Sequence, residues 1–198
     1  MDRKTAVFLI VVLLLALVRA MACGVASYLS ISSREHLDHD AAAKADALSA
    51  RFIESDSRRI RLSHELDPCN PEYIENMARL GFIQAEFSGS ADRPDLENSL
   101  NLIRTSLVIR PVSAYAWSML LYAKGKLGQI DQEYSEAMDN SLVLGPNEPD
   151  VLRTVIDTGF EHWQELGEKQ RIEIKDVLLM KIKADHEPIG RVLQEGNG

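Results

Sequence analysis

The sequence has few of the residues that carry redox or metal chemistry. Of its 198 residues only Cys23 and Cys69 are cysteines, too few for a disulfide framework or a cysteine-rich metal site. A phosphate-binding glycine loop, a nucleophile elbow, an HExxH helix and a dinucleotide fingerprint are absent from the sequence. Acidic residues are numerous, but nothing selects one pair of them as catalytic. We therefore expect a protein that is not an enzyme and that needs no cofactor.

Aromatic and basic residues are also scarce. Aromatic residues make up 6% of the chain and hydrophobic residues 45%, so aliphatic side chains and alanine must form most of the core. Lysine and arginine number 22 against 30 acidic residues, which gives a formal net charge of −8. Three of the basic residues, Arg3, Lys4 and Arg19, lie near the N-terminus, so the remainder is more acidic still. Such a body repels phosphate backbones, and we expect no nucleic-acid partner.

A metal site is not expected either. His36 and His39 lie three residues apart beside Asp40, a spacing at which two imidazoles and a carboxylate share one helix face. Two histidines without a third partner elsewhere in the sequence are more typical of a solvated helix face than of a metal centre.

One long hydrophobic run occurs near the N-terminus. Ala6 to Val18 (AVFLIVVLLLALV) is by itself too short for a bilayer, which needs about 20 residues. The weakly apolar continuation lets Thr5 to Ile31 span as an uncleaved anchor, with Arg19 snorkelling. Two alternatives stay open. Ala20-Met21-Ala22 is typical of the cleavage site of a secretory signal peptide, and Cys23 directly after it is placed like the lipidated cysteine of a lipoprotein.

All three interpretations export the rest of the chain. Arg3 and Lys4 precede the hydrophobic run, whereas Glu35, Asp38 and Asp40 follow it. Because positive charges stay on the cytoplasmic side, we expect a single-pass protein of a bacterial inner membrane with its C-terminal domain in the periplasm.

Three segments of the chain share one layout, which becomes visible when Pro68, Pro111 and Pro146 are aligned. An aliphatic residue stands two positions before each proline and a serine five positions before it: Leu66, Ile109 and Leu144, and Ser63, Ser106 and Ser141. A proline cannot continue a helix and disfavours helical geometry in the residue before it. Each copy therefore predicts the end of one helix and the start of the next, and the small serine lets a neighbouring helix come close.

The remaining pattern predicts an all-α fold. Ser33 to Leu66 contains no glycine or proline and carries an apolar helical stripe, either as one stalk or as a helical hairpin broken near Ser49. Further helices are predicted at Pro71–Phe87, Pro94–Ile109, Ser113–Leu127, Asp131–Leu144, Pro149–Leu166 and Glu168–Asp185. The predicted domains are a membrane anchor or signal segment (1–32), a helical stalk or degenerate first repeat (33–66), a helical repeat domain (67–187) and a disordered tail (188–198).

The repeated layout resembles the tetratricopeptide repeat, a helical hairpin of about 34 residues. The aligned prolines are 43 and 35 residues apart, and Trp117-Ser-Met-Leu120 and Met77-Ala-Arg-Leu80-Gly81 are similar to the family's W-x2-L-G pattern. Gly128 follows Trp117 by 11 residues, as the turn glycine does in this family. The resemblance implies a short tetratricopeptide-like solenoid of stacked helical hairpins after an N-terminal transmembrane helix.

The resemblance also implies a concave groove built from the first helix of each repeat. The groove residues carried over in this way are Phe82, Glu86, Tyr115, Ser118, Tyr122, Lys126, Arg153 and Asp157. Phe82 and Tyr122 would act as apolar anchors for a segment of a protein partner. The alternative is that these two aromatic residues pack between neighbouring helices.

Arg110 to Val151 is also similar to repeat proteins of bacterial exopolysaccharide biosynthesis clusters, through Pro-x-x-Ala-x-Ala-Trp from Pro111 and Leu-Gly-Pro-x-x-Pro from Leu144. That resemblance implies a non-enzymatic adaptor or scaffold in polysaccharide synthesis or export. Two other classes stay open. One is an assembly factor for another exported system, such as cytochrome maturation or pilus biogenesis. The other is a glycan-active enzyme, which would need two carboxylates facing each other across a cleft.

Overall fold

The described chain is entirely helical. The computed structural model describes residues 3–40, 47–87 and 93–179, and no strand occurs among them. The helices are α1 (Arg3–Asp40), α2 (Ala47–Leu66), α3 (Pro71–Phe87), α4 (Arg93–Ile109), α5 (Ala114–Leu127), α6 (Gln132–Leu144), α7 (Pro149–Glu161) and α8 (168–179). The predicted all-α class is confirmed. The predicted tail at 188–198 and the end of the last predicted helix lie outside the described residues.

One β-turn recurs three times between the helices. Helices α2, α4 and α6 each end two residues before an aligned proline, and the next helix begins three residues after it. In every copy the N–H of the fourth turn residue donates to the C=O of the first: Asn70 to Asp67 at 3.2 Å, Ser113 to Arg110 at 3.3 Å and Glu148 to Gly145 at 3.2 Å. Proline at the second position of such a turn already has the φ that the turn requires.

The three aligned serines are fully buried. Ser63 and Ser141 donate to carbonyl groups of their own helices, those of Ile60 at 2.7 Å and Ala137 at 2.6 Å. Ser106 instead reaches from α4 to α3 and donates to the Glu75 carboxylate at 2.7 Å. A buried hydroxyl needs such a partner, so each serine fills little space and leaves its oxygen satisfied.

The chain forms two compact units, Met1–Ile109 and Arg110–Gly198. In the first unit α3 pairs with α4, and α2 packs against α1 and α3. The first unit's core is aliphatic and includes Ile60, Ile74, Leu80, Leu96, Leu100 and Ile103. Gly81 permits the close pairing of α3 and α4, because an added Cβ there would collide with Ser99 Oγ.

Helix α1 contains the long hydrophobic run. Its segment Val7–Ser30 has a mean hydropathy of 2.7 and is long and apolar enough to cross a membrane. Helix α2 runs back along α1, since the Arg19 guanidinium donates to Leu66 C=O at 3.3 Å and to Asp67 Oδ1 at 3.1 Å. Residues 33–40 belong to α1 and residues 47–66 form α2, which packs back on α1, so the structure does not describe one continuous stalk. Ser49, where the break was predicted, lies within α2, and residues 41–46 lie outside the described part of the structure.

In the second unit α5 packs against both α6 and α7. Local signals define the helix ends: Ser113 and Asp131 cap the starts of α5 and α6 by accepting the N–H groups of Ala116 and Tyr134, and Gly128 ends α5 with φ 68°. The buried core of this unit includes Leu120, Leu121, Tyr134, Met138, Val155 and Ile174.

Helix α7 ends earlier than the predicted Leu166. Residues 162–165 form turns, and the Glu165 N–H donates to His162 C=O at 2.9 Å. The Arg171 side chain of α8 donates to two carbonyl groups of this turn, to Trp163 C=O at 3.0 Å and to Gln164 C=O at 3.1 Å. Arg171, seven and eight residues further along the chain, thus bonds the turn that follows α7.

Candidate protein-binding site

The predicted groove residues differ in how far solvent reaches them. Phe82 is 7% exposed and Ser118 is 2% exposed, so these two offer little surface to a partner. The burial of Phe82 agrees with the alternative in which it packs between helices. Ser118 donates its hydroxyl to Tyr115 C=O at 2.8 Å. The side chain of Glu86 lies outside the described part of the structure.

The other predicted groove residues lie on α5 and α7. Tyr115 and Tyr122 are half-buried, whereas Lys126, Arg153 and Asp157 are exposed. Lys126 Nζ lies 3.0 Å from Glu161 Oε2 on α7 and 5.5 Å from the centroid of the Tyr122 ring. Helices α5 and α7 therefore lie side by side.

Residues at four-residue steps share one side of a helix, so Arg153 and Asp157 lie on the same side of α7 as Glu161. Together, Tyr122, Lys126, Arg153, Asp157 and Glu161 are called the α5/α7 face below. The face is amphipathic, but each of the two charges from Lys126 and Glu161 is neutralised by the other.

A cavity that sequence reasoning did not find lies between α6, α7 and α8. Its volume is about 320 Å³, which is at the small end of the range for ligand pockets. Its apolar lining residues are Leu142, Val143, Pro146, Leu152 and Val177, and its polar lining residues are Asp139, Lys169, Glu173 and Asp176. This site is called the α6/α8 cavity below.

The polar wall of the α6/α8 cavity is acidic. Lys169 Nζ donates to Asp139 Oδ2 at 2.7 Å and lies 3.4 Å from Glu173 Oε1. The hydrogen bond to Asp139 raises the pKa of Lys169, so the ammonium is charged at neutral pH. One cation thus faces three carboxylates.

Two carboxylate oxygen atoms in this wall have no hydrogen-bond donor. Asp139 Oδ1 and Glu173 Oε2 are both buried, and neither has a hydrogen-bond partner in the structure. Buried acceptors without a donor are uncommon and costly in folded proteins. Solvent does not reach these two oxygens, although the Asp139 and Glu173 side chains are 39% and 32% exposed, so the wall as a whole presents acidic side chains to a ligand.

A second charged cluster is internal to the second unit. Lys124 is 1% exposed, and its ammonium donates to Asp131 Oδ2 at 2.8 Å and to Glu133 Oε2 at 2.7 Å. Burial acts to raise the pKa of Asp131, but hydrogen bonds from Lys124 and from the Tyr134 amide outweigh it, so this pKa lies below its usual value. The Lys124 ammonium is saturated by carboxylates, and the cluster joins α5 to the start of α6 rather than presenting a reactive amine.

Tyr134 is buried beside this cluster. Its hydroxyl donates to Thr158 C=O at 3.3 Å, and burial raises its pKa far above the usual value, so the phenol stays neutral. His162 lies against the Tyr134 ring, with its Nε2 3.0 Å from Gly125 C=O and its Nδ1 3.2 Å from Glu165 Oε1. Each of these polar groups has a structural partner.

Metal binding has no support among the described residues, where no group of three or more His, Cys, Asp or Glu side chains could hold an ion. The side chains of His36 and His39 lie outside the described part of the structure. Comparison with known proteins assigns no family, since no family model and no curated protein matches the chain.

Proposed function

We propose that this protein is a non-enzymatic, membrane-tethered helical adaptor that binds a segment of another cell-envelope protein. The α6/α8 cavity carries the proposal, because it combines an apolar floor with a wall in which three carboxylates outnumber one lysine. A peptide segment with an aliphatic side chain next to a lysine or arginine matches both features. The formal net charge of −8 favours the approach of such a basic segment over a distance.

A tetratricopeptide-like arrangement of the second unit is part of this proposal. Helix α5 packs against its own hairpin partner α6 and against α7, the first helix of the next hairpin. Trp117 at the start of α5 donates from its indole N–H to Pro111 C=O at 2.8 Å, which ties the helix to the preceding proline turn. Gly128 ends the same helix in the left-handed conformation. These features support the resemblance on which the repeat assignment rests.

The tether in this proposal is the uncleaved helix α1, with the body in the periplasm of a bacterium. Helix α1 runs without a break through Ala20-Met21-Ala22, and beyond it Ala26 and Ser30 are buried in the first unit. Asn76 of α3 donates to the Ser30 hydroxyl at 2.9 Å. These contacts favour a helix that is retained as part of the fold over a signal peptide that is removed.

We place the adaptor in exopolysaccharide synthesis or export, on the resemblance of the segment from Arg110 to Val151. Deletion of the gene in the source bacterium should then reduce the secreted polysaccharide. The wild-type chain should restore it, whereas a double variant Asp139→Asn, Glu173→Gln should not. Full secretion without the gene would contradict this placement and leave the binding activity to be tested separately.

Site-specific photocrosslinking in living cells tests the binding activity itself. A photoreactive benzoylphenylalanine replaces Val143, which is 76% exposed at the cavity, and Val108, which is 84% exposed in the first unit, serves as the matched control position. A specific crosslink should form at Val143 and not at Val108. It should weaken by about tenfold or more in the Asp139→Asn, Glu173→Gln background, because each lost charged hydrogen bond is worth more than about 1 kcal/mol.

A third crosslinking position at Arg153 compares the cavity with the α5/α7 face. A crosslink from Arg153 in the absence of one from Val143 would move the partner site to the predicted groove. No crosslink at either position would contradict the adaptor function. Tryptophan fluorescence of each variant, compared with that of the wild type, shows whether the second unit remains folded.

A further inference from the structure

Helix α1 changes its surroundings at Arg19. The large apolar side chains from Val7 to Val18 are all exposed in the structure. At Arg19 the helix is held by the body for the first time, through the bonds to Leu66 C=O and Asp67 Oδ1 at the end of α2. The exposed hydrophobic segment of α1 therefore ends where α1 first contacts the end of α2.

On the C-terminal side of Arg19, one face of α1 is packed against other helices and another face is exposed. Ala26 and Ser30 are buried against the first unit. By contrast, Met21, Val25 and Tyr28, which are spaced four and three residues apart and so form one stripe, are at least half exposed. An exposed apolar stripe that continues directly from a membrane-crossing segment has the composition of a lipid-facing surface.

The exposed hydrophobic segment of α1 is shorter than the hydrocarbon core of a bilayer is thick. From Lys4 to Arg19 an α-helix rises about 22 Å, at 1.5 Å per residue. The hydrocarbon core of a typical bilayer is about 30 Å thick, which leaves about 8 Å, or five residues, beyond Arg19. A bilayer that begins at Lys4 would thus extend to about the level of Gly24. Tilting of the helix would draw the body still deeper.

We infer that the first unit is seated in the outer leaflet, with lipid covering its lower end. This inference rests on the proposed tether. The lipid contacts are made by Met21 and Val25 on α1 and by the turn from Asp67 to Cys69, whose Pro68 and Cys69 are exposed. Tyr28, higher on α1, lies at the headgroup level, where tyrosine is enriched in membrane proteins.

The exposed Arg61 fits this depth, whereas the exposed Glu65, one residue from Leu66, lies below it, where a charge is costly. Helix α2 runs antiparallel to α1, so Arg61 lies about 7 Å above the Leu66–Arg19 contact, at the level where the hydrocarbon ends. Arg61 is exposed there, beside the exposed Leu62, and faces lipid phosphates. Arg19 itself lies within the leaflet, where an unpaired guanidinium is costly, and its pairing with Asp67 and a backbone carbonyl lowers that cost.

Labelling of the native Cys69 tests whether the lower end of the first unit lies in the leaflet. The full-length Cys23→Ser protein leaves Cys69 as the single thiol, and Val112→Cys in a Cys23→Ser, Cys69→Ser background gives a reporter in the second unit that is 71% exposed. Both proteins are embedded in vesicles of bacterial lipids with the body outside and treated with a charged, membrane-impermeant maleimide. Cys69 should react about tenfold or more slowly than the reporter, because a charged reagent does not reach a thiol that is covered by lipid.

A longer membrane-spanning segment shows whether lipid or protein shields Cys69 from the maleimide. Seven leucines inserted after Leu15 add about 10 Å and close to two whole turns, so the body rises out of the leaflet with almost unchanged orientation. Labelling of Cys69 should then approach the reporter's rate. Equal rates without the insertion, or slow labelling that the insertion leaves unchanged, would overturn the inference. The intact mass of the same samples shows whether the leader is cleaved. Loss of the proposed tether is thereby distinguished from a first unit that is anchored but not embedded in the leaflet.

Discussion

The two units use the same proline turn but bury different kinds of polar group. In the first unit, buried polar contacts join helices through serine and asparagine, as in the Ser30–Asn76 and Ser106–Glu75 hydrogen bonds. In the second unit the corresponding contact is a fully buried ammonium, Lys124, held between two carboxylates. The repeated turn thus determines where helices end, whereas the contacts between the helices differ from copy to copy.

The corresponding first helices differ as well. In α3 the predicted groove residue Phe82 is buried. In α5 and α7 the corresponding face keeps Lys126, Arg153 and Asp157 exposed. Among the predicted groove residues, the exposed charged ones therefore belong to the second unit. Both tryptophans, Trp117 and Trp163, also belong to that unit, so tryptophan fluorescence reports its unfolding selectively.

The largest effect is expected from removing the buried cation. Lys124→Met removes the buried ammonium and its two charged hydrogen bonds. Because Asp131 and Glu133 are 55% and 33% exposed and regain water, the free energy of unfolding of the second unit should fall by about 2 kcal/mol. Urea unfolding of the detergent-solubilised chain, followed by tryptophan fluorescence, measures this change. The matched control is Lys126→Met, whose ion pair with Glu161 is exposed on both sides and whose loss should cost less than about 1 kcal/mol. Equal losses in the two variants would contradict the assignment of Lys124 as a structural anchor.

The next effect tests the close approach of α5 and α7. A Cβ at residue 125 would lie 2.6 Å from Thr158 Cγ2, so Gly125→Ala should destabilise the second unit by about 1–3 kcal/mol through overpacking. The double variant Gly125→Ala, Thr158→Ser removes the colliding methyl group and should recover most of that loss in the same unfolding measurement. If Thr158→Ser brings no recovery, the two helices do not approach each other as the structure describes.

Local signals explain which parts of this fold the sequence could predict. Helix α3 begins at Pro71 as predicted, because a turn proline and a capping asparagine act within a few residues of the helix start. The burial of Lys124 was missed, since a lysine in a helix close to Lys126 has the pattern of a solvated face. A signal was present in Asp131 and Glu133, which follow across the Gly128 turn.

The site was harder to predict than the helices. The α6/α8 cavity depends on how α8 lies across α6 and α7, a relation between residues some 30 positions apart that no local pattern encodes. Phe82 also shows that a local sequence pattern does not determine which side chains are exposed. Its helical spacing was compatible with a groove and with a core, and only packing between helices distinguishes the two. Sequence alone thus determined the helix ends better than the faces of the helices.

The pH dependence of the Lys124 cluster gives a smaller effect. Because the pKa of Asp131 is lower in the folded chain, its contribution to stability is complete above the usual aspartate pKa of 3.8 and is lost as the pH falls through the folded value. Asp131 is half exposed, so the contribution is less than about 1 kcal/mol. Asp131→Asn keeps the cap on the Tyr134 N–H and should flatten the acid limb of stability below pH 3.8, by about that amount. Urea titrations at several pH values measure it, and an unchanged acid limb in the variant would contradict the role of this pair.

The smallest effect on stability, and the sharpest on binding, is expected at Lys169. This side chain is exposed, so Lys169→Gln should leave the urea midpoint of the second unit nearly unchanged. The same change removes the one cation that faces Asp139, Glu173 and Asp176, and so frees carboxylate oxygens for a basic partner. The Val143 crosslink should therefore become stronger in Lys169→Gln, whereas a crosslink on the α5/α7 face, if that face is the true site, should not respond. A weaker Val143 crosslink would show that Lys169 itself contacts the partner, and the proposed basic character of the bound segment would then be wrong.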